Sequence, residues 1–355
     1  MKPRATKWQR SATALAAALG LERLHPEALA WASGRSRRES WGVAFSGGAD
    51  SLALLLLLWA HWPERRERMV ALHFDHRLRG HESRGDAAFC LRVCRGLGVP
   101  LVAERWARPP KNPSEATARA ARMDFFQRAL RGRRTAALWL GQQQDDIAES
   151  LLMRLARGSG TAGLAAPRPV HVHRGGRVHV RPLLTLKKAE LKAALAAAGI
   201  GWREDSSNTG GDFFRNRIRR DVLPAWAEAA GRDALAGAAL SRELLAEDDA
   251  ALESWLDGLR LLAADGTINL GKTAGLPRAL LRRALHRWLG AQGRPVDLSK
   301  RGFDRLLAAV EAGADTRHSL GTDTFAVIRR GRLSVQRKTR GLASKRTGVF
   351  PRSAN

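Results

Sequence analysis

Tyrosine is absent from this 355-residue chain, cysteine occurs twice and methionine four times. The two cysteines, Cys90 and Cys94, lie one helical turn apart in CLRVC. They are too few and too close for a disulfide framework or a zinc site, which favours a reducing, cytoplasmic compartment. No apolar run reaches bilayer length, so a membrane is not among the expected partners. The opening MKPRATKWQRSATALAAALGL has the polarity of a secretory leader, yet Glu22 and Arg23 cut its apolar run. The segment reads instead as a short amphipathic helix beginning at Ser11. Acid is scarce as well: 34 Asp and Glu stand against 61 Lys and Arg, a formal net charge of +27. That excess points to a polyanionic partner, because clustered cations attract phosphates and release counterions on contact. Ten of the 61 are lysine and the other 51 arginine, a skew that coding bias also produces.

What is present organises itself early in the chain. WGVAF (41–45), MVALHF (69–74), VPLVAERW (99–106) and TAALWLG (135–141) are apolar runs of strand length. Helix-length stretches at 51–61, 82–97 and 114–130 separate them, the last with Asn112 and Ser114 as candidate caps around Pro113. Strand and helix in alternation predict an α/β fold, an open parallel sheet with helices on both faces. A nucleotide site is then expected beyond the strand C-termini.

SGGADS follows the first strand and leads into a leucine-rich helix. Its backbone N–H groups and the helix N-terminus converge on one spot that suits a phosphate, and Gly47 and Gly48 permit close approach. Ser46 and Ser51 add hydroxyls. Asp50 beside phosphates is repulsive unless a metal bridges them, which suggests Mg²⁺. No lysine follows, so this is not a Walker A loop. A plain glycine-rich turn with Asp50 as a cap fits the same residues. Asp146 and Glu149, three apart on an expected helix, share a face that suits an ammonium group, or equally a solvated acidic surface. FFRNRIRRDVLP gathers Arg215, Asn216, Arg217, Arg219 and Arg220, a phosphate-binding pattern that a basic surface helix also shows. VHVHRGGRVHV (170–180) reads as a hairpin about Gly175 and Gly176, with His171, His173 and His179 alternating as a polar face rather than a metal site.

Taken together, these stretches resemble a known family. SGGADS is similar to the pyrophosphate loop SGGxDS of the PP-loop ATPases. HFDHRLR (73–79), ARAARMDFF (118–126), QQDDIAESLLMRLARGSGTAGLAA (143–166), RPLL (181–184) and EDSSNTGGDFFRNRIRRDVLP (204–224) resemble, in order, motifs of the bacterial tRNA(Ile)-lysidine synthetases. The resemblance implies ATP-dependent joining of lysine to C2 of the wobble cytidine in a CAU anticodon, through an adenylated tRNA and with release of AMP and pyrophosphate. It implies that Ser46, Gly47, Gly48, Ala49, Asp50 and Ser51 bind ATP, and that Asp50 and Asp145 serve catalysis, Asp50 with Mg²⁺. By the same likeness Asp146 and Glu149 hold lysine, while Arg122, Arg215, Asn216, Arg217 and Arg219 face tRNA. The partners would be tRNA(Ile) and free lysine in a bacterial cytoplasm, with a homodimer left open.

Departures exist: Gln142 stands where the family usually has histidine, Met123 where it has an aromatic residue, and Ser150 for threonine. Glutamine hydrogen-bonds but carries neither proton nor charge. A thiolating PP-loop tRNA enzyme and a non-catalytic tRNA-binding paralogue are the competing readings; two cysteines supply too few ligands for a cluster.

The expected organisation is a helical extension (1–35), a PP-loop ATP-binding catalytic domain (36–225), a small, mainly helical tRNA- or substrate-binding domain ending in a hairpin about Gly331 (226–338), and a basic, disordered tail (339–355). Arg282, Arg283 and Arg287 are phosphate candidates in the helical part. The likeness stops short of the larger C-terminal domain of longer relatives.

Overall fold

A computed structural model describes residues 4–77, 81–111, 113–133, 135–173, 175–204, 213–292 and 298–337. The expected cap Asn112, the end of HFDHRLR, the DSSN stretch and the tail from residue 339 lie outside them. The chain divides into two compact units, Met1–Glu247 and Asp248–Asn355.

The first unit opens with α1 (Lys7–Ala18), four residues earlier than expected. Thr6 caps it: its side chain accepts from the Gln9 N–H, while the Gln9 side chain accepts from the Thr6 N–H. This reciprocal pair satisfies two donors that a start at Ser11 would leave inside the helix. After α2 (Pro26–Ser33) come β1 (Trp41–Ala44), α3 (Ala49–His61), β2 (Met69–Asp75), α4 (His81–Leu97), β3 (Leu101–Arg105), α5 (Glu115–Gly132), β4 (Ala137–Trp139) and α6 (Gln144–Leu155). A short α7 (Thr161–Leu164), the antiparallel pair β5 (Val170–Val172) and β6 (Val178–Val180), and α8 (Lys188–Ala197) follow. The last helices are α9 (Phe214–Arg217), α10 (Leu223–Ala230) and the start of α11 (Ala234–Leu259).

The sheet order is β3-β2-β1-β4-β6-β5, parallel except for the edge strand β5. Residues of β2 alternate between its two faces. Met69 and Ala71 join the core that α1, α3 and α4 build, and Val70, Leu72 and Phe74 join the core with Phe125, Phe126 and Leu130 of α5. Covered on both faces, such a strand carries no polar alternation. The leucine wall of α3 is apolar all round because Leu52 through Leu58 are all buried. Truncating one of these leucines to alanine costs about 2–5 kcal/mol. Because β1 lies between β2 and β4, successive connections leave it in opposite directions, and a crevice opens at its C-terminal end.

The second unit holds the rest of α11, β7 (Ile268–Asn269), α12 (Arg278–Gly290), α13 (Lys300–Ala312), β8 (Thr316–Gly321), β9 (Thr324–Arg329) and β10 (Arg332–Arg337). The hairpin β9–β10 forms as read, turning through Arg330 and Gly331, both at positive φ. It belongs to a four-stranded antiparallel sheet, β7-β10-β9-β8, whose outer strands the helical reading of this region missed. Ile268, Leu320, Ala326, Ile328 and Leu333 of this sheet share a core with Trp288 and with Leu306 and Leu307.

Candidate active site

The SGGADS loop leaves β1 at that crevice and enters α3 at Gly48. Gly47 has φ +90, where a side chain is strained, and a Cβ there would sit 3.2 Å from Phe89 and 3.3 Å from Cys90. The two serine hydroxyls are tied together: Ser46 Oγ and Ser51 Oγ are 3.0 Å apart, and Ser51 Oγ also donates to the Gly48 carbonyl at 3.1 Å. Gly141, two residues beyond β4, passes so close to α3 that an added Cβ would lie 2.8 Å from the Asp50 carbonyl oxygen. This glycine lets the first turn of α3 sit against β4.

Ser46, Gly48, Ala49, Asp50 and Ser51 line a cavity of about 410 Å³, with Asp75, Arg122, Asp146, Arg215 and Arg219 on its walls. Asp50 Oδ1 is buried without a hydrogen-bond partner, and burial raises the carboxyl pKa to about 6 against the opposing pull of Lys188. Lys188, Lys192 and Arg203 also face the cavity. Sequence reasoning missed them because LKKAELKAA reads as an ordinary amphipathic helix. Arg203 is fixed by its Nε donating to Asp86 Oδ1 at 2.7 Å and by its N–H donating to the Gly47 carbonyl.

Asp146 and Glu149 face inward from α6, both buried and the latter 0% exposed. They do not face solvent and they are not vacant. Arg215 donates through Nη2 to Asp146 Oδ1 at 2.5 Å and through Nε to Glu149 Oε2 at 2.6 Å. Arg219 donates through Nε to Glu149 Oε1 at 2.5 Å. Burial pushes Asp146 up; for Glu149 burial acts the same way, but the two guanidiniums outweigh it and hold that carboxyl low.

Of the residues expected to face RNA, Arg215 and Arg219 therefore sit on the carboxylates expected to hold lysine. Four apart, they share a face across the junction of α9 with a π-turn over Ile218–Val222. Arg217 is exposed and packs over Phe214, and neither it nor Asn216 lines the cavity. Arg122 lines it and pairs with no carboxylate among the described residues; burial and the nearby Arg119 and Arg215 lower its pKa to about 10. Asp145, expected to serve catalysis, turns toward α8, where its Oδ2 accepts from the Lys188 N–H at 3.0 Å.

Two further expectations meet the structure here. His171 on β5, His173 just after it and His179 on β6 gather together, with His173 Nε2 2.9 Å from His179 Nδ1. No group of three His, Cys, Asp or Glu among the described residues has metal-holding geometry. In the second unit Arg283 and Arg287 are committed to carboxylates of α11 rather than left for phosphate: Arg283 reaches Asp249 at 2.6 Å and Glu253 at 2.7 Å, and Arg287 pairs with Glu253 and Asp257. Arg282 remains exposed.

A glycine-rich loop at the switch point of a parallel sheet, with no Walker lysine and an orphaned aspartate oxygen behind it, defines a protein of the PP-loop class. Residues 22–226 match the PP-loop domain family, and residues 269–334 match the TilS substrate binding domain. The chain belongs to the tRNA(Ile)-lysidine synthase family. The tRNA(Ile)-lysidine synthase of Salinispora arenicola is 36% identical over 82% of this chain and 89% of its own length. That of Symbiobacterium thermophilum is 34% identical over 78% of this chain and 60% of its own. The chain spans between 56% and 60% of the length of three such relatives. A solved structure of the U34-tRNA thiolase NcsA from Methanococcus maripaludis, with its [4Fe-4S] cluster, superposes with a TM-score of 0.51 over 67% of this chain and 78% of that one. At 15% identity that likeness concerns fold alone.

Proposed function

We propose that the chain is an ATP-dependent ligase that joins lysine to C2 of the wobble cytidine of tRNA(Ile) carrying a CAU anticodon, in the bacterial cytoplasm. The observation that carries this is a cavity lined by both the phosphate-suited loop and Asp146, with Glu149 buried behind the Arg215 and Arg219 that also line it. ATP lies with its phosphates on Ser46–Ser51 and adenylates the C2 oxygen, releasing pyrophosphate; the lysine ε-amine then displaces AMP from C2. The nucleophile and the leaving groups all come from substrates, so the protein's work is orientation and charge placement.

Asp146 and Glu149 receive the lysine ammonium, a role supported by the two cations they already hold, Arg215 and Arg219. Asp50 suits Mg²⁺, since its buried, unpartnered oxygen is a hard ligand that lacks only a cation. When bound, the ion neutralises charge on the triphosphate. Without it, Lys188 is the cation that most favours ionised Asp50. Asp145 acts indirectly, by fixing the start of α8 that carries Lys188.

The domain roles follow: residues 36–225 carry the chemistry, 1–35 brace them, and 226–338 grip tRNA. Assembly as a homodimer stays within this reading and is tested by light scattering.

Sulfur transfer fits less well. Cys90 and Cys94 are both buried, and burial pushes the Cys94 thiol up to about 12 and that of Cys90 further still. Incubation with ATP, Mg²⁺, labelled lysine and two transcripts, tRNA(Ile) and tRNA(Met) with the same anticodon, tests the assignment. Label on the first alone supports it, and label on neither refutes it. Asp50→Asn should abolish product while leaving tRNA affinity within about twofold, since it removes no phosphate-facing guanidinium.

A further inference from the structure

A second cavity, of about 470 Å³, adjoins the first and shares Arg119, Gln142 and Arg215 with it. Its walls carry six arginines, Arg119, Arg154, Arg157, Arg168, Arg181 and Arg215, against one carboxylate, Glu115. Asp146 and Glu149 offset Arg215, and Arg119, Arg154, Arg157 and Arg181 pair with no carboxylate among the described residues.

Arg181 is the decisive member. Only 6% of its surface is exposed, and no carboxylate among the described residues pairs with it. Its Nε donates to Gln142 Oε1 at 2.5 Å and its Nη1 to the Arg168 carbonyl at 2.8 Å, so neutral acceptors hold a buried cation in place. Burial, with Arg119 nearby, lowers its pKa to about 10, and it stays charged at neutral pH. Keeping a buried guanidinium ionised beside other guanidiniums costs free energy that an incoming anion would return. Gln142 explains itself in this setting: it anchors Arg181 without adding charge, whereas a protonated histidine would repel it. An amino-acid headgroup brings one carboxylate together with an ammonium, which does not match so large a surplus.

We propose that the second cavity is a phosphodiester subsite that seats the backbone phosphates flanking the nucleotide whose base enters the first cavity, with Gln142 and Arg181 as the wall between them. This rests on the RNA substrate proposed above. The phosphates would accept from the arginine forks, and Arg181 and Arg119 would orient the strand at the point where it crosses between cavities.

The test uses the full chain and a CAU anticodon stem-loop RNA, with binding followed by fluorescence anisotropy across a salt series. Arg157→Ala and Arg168→Ala, on the cavity rim, should each weaken binding about 3- to 10-fold and lower the slope of log Kd against log[salt] by about 0.7 for each phosphate released. Affinity for a fluorescent ATP analogue should not change. A neutral methylphosphonate linkage beside the wobble cytidine should weaken wild-type binding, and Arg157→Ala should then add nothing, as expected of a shared contact. Unchanged RNA affinity and slope in both variants overturns the subsite. Loss of inorganic pyrophosphate binding with RNA affinity intact also overturns it, in favour of a product channel. Failure of the wild-type protein to bind the stem-loop removes the RNA reading itself, which separates the two failures.

Discussion

Two arginine pairs clasp carboxylates across facing helices in this molecule, and their settings differ in kind. In the first unit Arg215 and Arg219 hold Asp146 and Glu149, and the two arginines line a cavity with Arg119, Arg122 and Lys188. In the second unit Arg283 and Arg287 hold Asp249, Glu253 and Asp257, where three acids meet two bases. Spacing is alike in both, with arginines four apart and carboxylates three or four apart. The difference lies in what surrounds the pair, since Arg283 and Asp249 are as buried as Arg215 and Asp146. A ladder with acid in excess fastens two helices; a pair amid surplus cations is a place where ligands of either sign can exchange with side chains.

The largest break in that comparison should come from Glu149→Gln. It keeps the shape and removes the charge that Arg215 and Arg219 both contact, leaving two guanidiniums without their buried partner. Losing one member of such a pair costs about 2–5 kcal/mol. The KM for lysine should rise at least about 30-fold while that for ATP changes little. A selective ATP defect would move Glu149 out of the lysine pocket.

Glycines separate the units next. Gly141→Ala drives a Cβ to 2.8 Å from the Asp50 carbonyl oxygen and 3.1 Å from the Ser51 nitrogen, both rigid backbone. Overpacking of this kind costs about 1–3 kcal/mol, and the displaced loop should also raise the KM for ATP. Gly258, in the last turn of α11, has nothing within 4 Å of an added Cβ. Gly258→Ala should stabilise the second unit by up to about 0.5 kcal/mol. Melting curves of the two variants, shifted in opposite directions, check both.

Acid should unfold the first unit before the second. Burial, aided by Arg242, lowers His25 to about 4, and burial with His173 and Arg181 lowers His179 to about 3. Depressed folded values mean that the unfolded chain binds protons first. Stability is full above about pH 6.5 and is lost as pH falls toward 4 and 3. At pH 5 each histidine costs about 1–2 kcal/mol. The second unit holds only His286 and His318, neither fully buried. Hydrogen exchange at pH 7 and pH 5 should show protection lost in β6 and α2 while β9 and β10 keep theirs; equal loss in both units would refute the assignment.

Much of this was legible in the sequence for physical reasons. The first four strands and the helices between them announce themselves because a doubly covered parallel sheet demands continuous apolar runs, and SGGADS is local chemistry on a local turn. Less legible was anything that depends on partners distant in sequence. Nothing in FFRNRIRR says that Arg215 and Arg219 turn onto α6 while Arg217 faces solvent, because that choice is made by tertiary packing. Lys188 and Arg203 reach the cavity from α8 and from the loop beyond it, with no motif to mark them. β7 and β8 escaped notice because a two-residue strand has no period, and TRHSLG is too polar to read as one half of a sheet.

Arg287→Ala offers the smallest effect and the sharpest contrast. It deletes the outer rung of the ladder, where the arginine and its partners Glu253 and Asp257 are all more than a third exposed or close to it. Pairs so open to water contribute about 0–1 kcal/mol each, because solvent and salt already screen them. The variant should melt below the parent by no more than about 4–8 °C for each kcal/mol lost in a unit of this size, and the gap should shrink as salt rises. Its RNA salt slope should equal that of the parent, since a guanidinium already holding two carboxylates releases no counterion. If the slope drops by the amount expected for Arg157→Ala, the ladder on α12 is a phosphate grip after all, and the distinction between a helix clasp and a ligand site drawn from charge surplus fails.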